Sequence, residues 1–196
     1  MNQSVARTIT TASVLFAVML FFTSCVVTSI YPYYTDKDLV SDPAMLGDWM
    51  DAGQTNDTSE YVRIERTGEK DYRATGFGTG ETNSSDVHLF RLNNQLFVDV
   101  CSTNRSLDFV PVHQVSKVIQ IGPALETANL NYDWLAKLLE KNPKAVRHML
   151  LREKTGDEQG GRVVLTADTK ELQRFILKYV NNTNAWEEPT QWKHRN

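Results

Sequence analysis

Few side chains in this sequence could do acid, base or nucleophilic work. The four histidines, His88, His113, His148 and His194, are scattered along the chain, and none has another histidine or a cysteine at metal-ligand spacing on one element. His113 stands out because Pro111-Val112-His113-Gln114-Val115 alternates. On a strand that pattern puts His113 on one face with Pro111 and Val115. If that face is the core, His113 is a buried ring that needs a hydrogen-bond partner; a structural role is preferred, and a general base or ligand contact is the alternative. Asp99, between Val98 and Val100, and Asp51, two places after Trp49, are carboxylates that could act together if folding joined them. Taken separately, they read as solvated positions on polar strand faces. Cys101 follows a strand, not a helix N-terminus, so its context predicts no activated thiolate. Gly76-Phe77-Gly78-Thr79-Gly80 lacks the Lys and Ser/Thr of a phosphate loop, and no helix pattern follows it. With no G-x-S-x-G and no H-E-x-x-H, no catalytic residue, metal or cofactor is assigned. An enzyme is not expected, and a hydrolase using His113 with a carboxylate is the remaining catalytic reading.

The elements that would position these residues are mostly strands. Leu46 to Met50 alternates apolar and polar side chains. Tyr61 to Ile64 and Tyr72 to Thr75 flank the turn Thr67-Gly68-Glu69-Lys70. Val87 to Leu92 and Gln95 to Val100 meet across Asn93-Asn94, a pair that tolerates positive φ. Further extended runs at 109–121 and 124–130 complete about seven locally spaced strands, the pattern of an antiparallel sheet. Helices come afterwards. Asn131 caps a segment with Trp134, Leu135, Leu138 and Leu139 on one face, stopped by Asn142-Pro143. A strand pair, His148 to Arg152 and Arg162 to Thr166, precedes a second helix. There Asp168 and Glu171 make a capping arrangement ahead of Leu172, Phe175, Ile176, Tyr179 and Val180 at helical spacing. The fold class is therefore α+β and strand-rich: an antiparallel β-barrel or strongly curved sheet with two helices in the C-terminal half.

The chain starts differently. Ala12 to Phe22 is an almost wholly apolar run, short for a membrane span and the size of a signal-peptide core. Thr23 and Ser24 follow, and then Cys25. This FTSC stretch resembles the lipobox of bacterial lipoprotein precursors, in which a small residue precedes the cysteine that is acylated after cleavage. The resemblance implies lipidation at Cys25, a membrane partner and an address in the bacterial envelope. Val26 rather than Asp after the cysteine favours the outer over the inner membrane. Read from the residues alone, Ala12 to Ile30 could instead be one uncleaved anchor. Residues 1–24 are then a signal peptide, 25–42 a lipidated tether containing the aromatic cluster Tyr31-Pro32-Tyr33-Tyr34, 43–180 a single β-rich domain, and 181–196 a polar tail. At 41% hydrophobic residues the domain is long enough for one sizeable core, and the net charge of -3 excludes a basic face for nucleic acid. Lipidation of Cys25 would leave Cys101 unpaired.

Gly47-x-Trp49 at the start of a strand-rich body, with a helix near the end, resembles the lipocalin-like superfamily. There the tryptophan closes one end of an antiparallel barrel whose other end admits a small apolar ligand. Only Gly47 and Trp49 carry this resemblance. Pro111-Val112-His113 and Asp133-Trp134-Leu135 also resemble a pattern in uncharacterised bacterial lipoproteins, which implies no activity. Trp49 and His113 are accordingly the candidate ligand-contacting or structural residues. The expected function is non-enzymatic: an envelope lipoprotein that binds a small apolar ligand or a protein partner, or a structural component of an assembly. The bulk of Trp49, Ile64, Tyr72, Phe90, Phe97 and Val115, all taken as inward-facing, predicts a filled interior.

Overall fold

The computed structural model describes residues 27–54, 60–78, 82–103, 110–155 and 158–195. Seven strands follow one another as an antiparallel meander: β2 (Gly47–Asp51), β3 (Tyr61–Arg66), β4 (Asp71–Phe77), β5 (Asn83–Leu92), β6 (Gln95–Ser102), β7 (His113–Gln120) and β8 (Ala124–Asn129). The chain then makes helix α1 (Tyr132–Lys141), strands β9 (His148–Thr155) and β10 (Glu158–Leu165) and helix α2 (Thr169–Lys178). It returns as β11 (Thr190–His194), which pairs antiparallel with both β8 and β2 and closes an eight-stranded barrel. No helix among the described residues is long and apolar enough to cross a membrane.

Local chemistry explains the tight connections. Asn93 takes the left-handed conformation, φ 52°, in the two-residue link of β5 and β6, as a short polar side chain allows. Asp42 caps a 3-10 turn at Pro43–Met45 through the Ala44 N–H, and that turn delivers the chain into β2. In α1 the Asn131 side chain accepts from the Trp134 N–H and Leu135 and Leu139 are buried. In α2 Asp168 accepts from the Glu171 N–H, and Leu172, Phe175 and Ile176 are buried.

Strand alternation sorts the apolar residues into two cores. Met45, Trp49, Ile64, Tyr72, Val87, Leu89, Val98, Val118 and Leu125 fill the barrel. Phe90, Leu92, Phe97 and Val115 point the other way, and α1, α2 and the edge of β10 cover them. Phe90, Phe97 and Val115 are thus outward-facing and buried beneath helices, where the sequence reading had them inside. On strands covered on both sides, bulk alone does not tell the faces apart.

Two segments read as peripheral are structural. Val27–Ser29, within the expected tether, is strand β1; it runs parallel to β10 with Val27 opposite Val163, and touches β7 at His113. Tyr33 is wholly buried and Leu39 bridges to Phe90, so residues 27–42 are built into the domain. In the expected tail, Trp186 is buried against Phe97 and bridges to Leu130, and β11 supplies the closing strand. Five residues need only pair between two existing edges to act as a strand, so a polar composition did not exclude it.

Candidate functional site

Val98 and Val100 of β6 face the barrel interior, which turns Asp99 outward. That outer position is not solvated, as the sequence suggested, but fully buried, because the chain following β1 crosses over it. Ionised carboxylates are costly to bury unless their oxygens are hydrogen-bonded. Here both are. Oδ1 lies 2.7 Å from His113 Nδ1, and Oδ2 accepts the Tyr33 backbone N–H at 3.0 Å. An ionised carboxylate can only accept, so the tautomer that satisfies it is the one with a proton on Nδ1. His113 sits opposite Ser29 of β1 and opposite Cys101 of β6. Asp99 and His113 therefore staple the incoming N-terminal strand to the barrel wall.

Cysteine, histidine and aspartate are adjacent here, a set that elsewhere supports nucleophilic catalysis. The electrostatics oppose that use. Burial, then the Asp99 and Asp86 carboxylates, push the Cys101 thiol up to about 11, and its sulfur lies 3.9 Å from the Ser102 carbonyl oxygen. Tyr33 and Tyr34 complete the cluster. Burial first and the Asp99 charge second hold both phenols well above the usual tyrosine range. Tyr34 stacks on His88 with centroids 4.6 Å apart, and His88 Nε2 is 3.3 Å from Asp71. The Tyr33 hydroxyl and His88 Nδ1 are buried without a hydrogen-bond partner among the described residues.

Trp49 is buried in the barrel core. Its Nε1–H donates to the Met45 carbonyl at 3.0 Å, and the His194 ring of β11 lies 3.9 Å away, centroid to centroid. Gly47 holds φ 131°, and a Cβ there would meet the His194 ring at 3.0 Å. The glycine and tryptophan of the G-x-W triplet thus both pack against the His194 ring. The other candidates are dispersed. His148 Nδ1 faces the Val146 carbonyl, and Asp51 accepts the Gly53 N–H in a turn. Cys25 lies outside the described residues. The open depression beside Met50, Tyr61, Val62 and Trp192 is no enclosed cavity. No group of three or more His, Cys, Asp or Glu side chains among the described residues could hold a metal ion.

The burial of Asp99 had a readable trace. In Leu96-Phe97-Val98-Asp99-Val100-Cys101 both alternating faces are apolar apart from the aspartate, the composition of a strand covered on both sides.

These features define a class: a small closed antiparallel barrel, packed with side chains, with a helical cover and a buried polar staple on its outer wall. Comparison with known family models, curated proteins and solved structures found no match in any of the three.

Proposed function

We propose that this chain is a lipid-anchored protein of the bacterial envelope, attached through Cys25, whose barrel is a scaffold for a protein partner or an assembly. The observation that favours a scaffold over a carrier is the filled interior. Trp49, Tyr72, Met45 and Leu89 are each at most 1% exposed and occupy the space in which a ligand-binding barrel of this strand number would hold its cargo. The FTSC stretch supports the address, and the Gly47-x-Trp49 geometry fits a lipocalin-like barrel that has lost its cavity.

A hydrolase is the second reading, because His113 and Asp99 are 2.7 Å apart. It is less well supported: the carboxylate is fully buried, the neighbouring thiol holds its proton, and one oxygen of Asp99 is committed to the Tyr33 backbone.

The test is a titration of the delipidated mature domain with a fluorescent fatty acid. No saturable binding is expected. Saturation at one site per chain would restore the carrier reading.

A further inference from the structure

Of the large apolar side chains left exposed among the described residues, Val110 lies ahead of β7 and Ile119 within it, and the rest gather on neighbouring strands. Among the described residues Met149, Leu150 and Leu151 are 53%, 47% and 40% exposed, and Ile30 and Tyr31 are 37% and 46% exposed. The first three are consecutive in β9, and the other two directly follow β1. These strands lie side by side, in the order β1, β10, β9. β9 is the last strand of this branch, so its outer edge has no strand partner among the described residues. Strand alternation turns Met149 and Leu151 to one face and Leu150 to the other, leaving apolar surface on both sides of an open edge. Proteins normally blunt such an edge with charge, proline or a cover.

Covalent geometry names the cover. Cys25 precedes Val27 by two residues, which limits the separation of their α-carbons to roughly 7 Å. Val27 is opposite Val163, and Val163 is opposite Leu150; two strand spacings put Leu150 roughly 10 Å from Val27. Because β1 is integrated into the sheet, no leash separates a lipid on Cys25 from this edge.

We infer that the β9 edge, with Ile30 and Tyr31, is a membrane-docking surface that rests on the lipid headgroup and upper acyl region and holds the barrel in one orientation. This rests on the lipid-anchored reading of Cys25. Leucine and methionine supply the apolar contact. Tyr31 is an aromatic of the kind that favours the interface, and the exposed Arg162, opposite Leu151, suits anionic headgroups. A partner protein is left the barrel walls turned away from the bilayer.

The experiment uses the full lipidated chain in a Cys101→Ser background, with an environment-sensitive fluorophore on one introduced cysteine: Met149→Cys, Leu151→Cys or, on the exposed turn after β2, Ala52→Cys. Each protein is reconstituted into phosphatidylethanolamine and phosphatidylglycerol vesicles containing acyl-brominated lipid. Blue-shifted emission and strong quenching at 149 and 151, with neither at 52, are expected. Adding Met149→Asp to the Leu151→Cys reporter should weaken that quenching while the protein still floats with the vesicles. Equal, weak quenching at all three sites overturns the docking surface. So does shielding of 149 and 151 from aqueous iodide without bromine quenching, which would mean that a second copy covers the edge. Flotation and fatty-acid labelling of wild type against Cys25→Ser read the anchor separately. Loss of both in wild type would overturn the lipid-anchored reading itself.

Discussion

With both oxygens of a fully buried Asp99 engaged, Asp99→Ala leaves the His113 ring and the Tyr33 N–H without their acceptor. The expected loss of stability is about 2 to 5 kcal/mol in urea denaturation. His113→Gln should also lower the melting temperature; unchanged melting with loss of cellular function would move weight to the catalytic reading. Cys101 gives an independent measurement. A thiol held up to about 11 should alkylate at pH 8 at least about tenfold more slowly than the same cysteine in the unfolded chain. Its linkage has a definite sign: the native state keeps the proton longer, so the thiol's contribution is complete below about pH 8.5 and falls as pH rises toward 11. Cys101→Ala should remove that part of the alkaline slope. At this scale the sequence was half legible. Alternation placed His113 with Val115, but its acceptor comes from another strand and its lid from a segment that begins at β1. Strand period carries no information about such partners.

Among the elements, α2 was the most readable, since its cap and its apolar stripe are local features. Phe175 is 4% exposed and contacts the rings of Trp134 and Tyr179. Phe175→Ala should destabilise the domain by about 3 to 5 kcal/mol, whereas Lys178→Ala, on the exposed side of the helix, should change it by less than about 0.5 kcal/mol. Comparable small effects at both sites would mean that the helix adds little to the outer core. The Asn93-Asn94 hairpin was legible for the same local reason. β1 was not, because Val27-Thr28-Ser29 is too short to show alternation and follows a stretch that reads as leader or anchor, and only pairing with β10 reveals a strand. The inward or outward facing of Phe90 and Phe97 was hidden as well, since both barrel faces are covered there.

For the whole molecule, the strand-rich barrel with two helices followed from turn spacing and helical periodicity, but its closure did not. Closure depends on β11, whose Thr190-Gln191-Trp192-Lys193-His194 looks like tail in isolation. Truncation before Thr190 strips β2 and β8 of a shared neighbour and removes the His194 ring from Trp49. The shortened chain should lose its cooperative unfolding transition and its near-ultraviolet tryptophan signal; retention of both would make the segment dispensable. The seam also has a consequence in time. Trp49 and His194 are register partners from distant parts of the chain, and β11 is synthesised after every other barrel strand. Until β11 is available β2 and β8 lack their shared neighbour and Trp49 lacks its ring partner, so pairing across the seam is a high-contact-order event. A chain cut short by a premature stop is thus left with two raw edges, which a protease can recognise before the product accumulates.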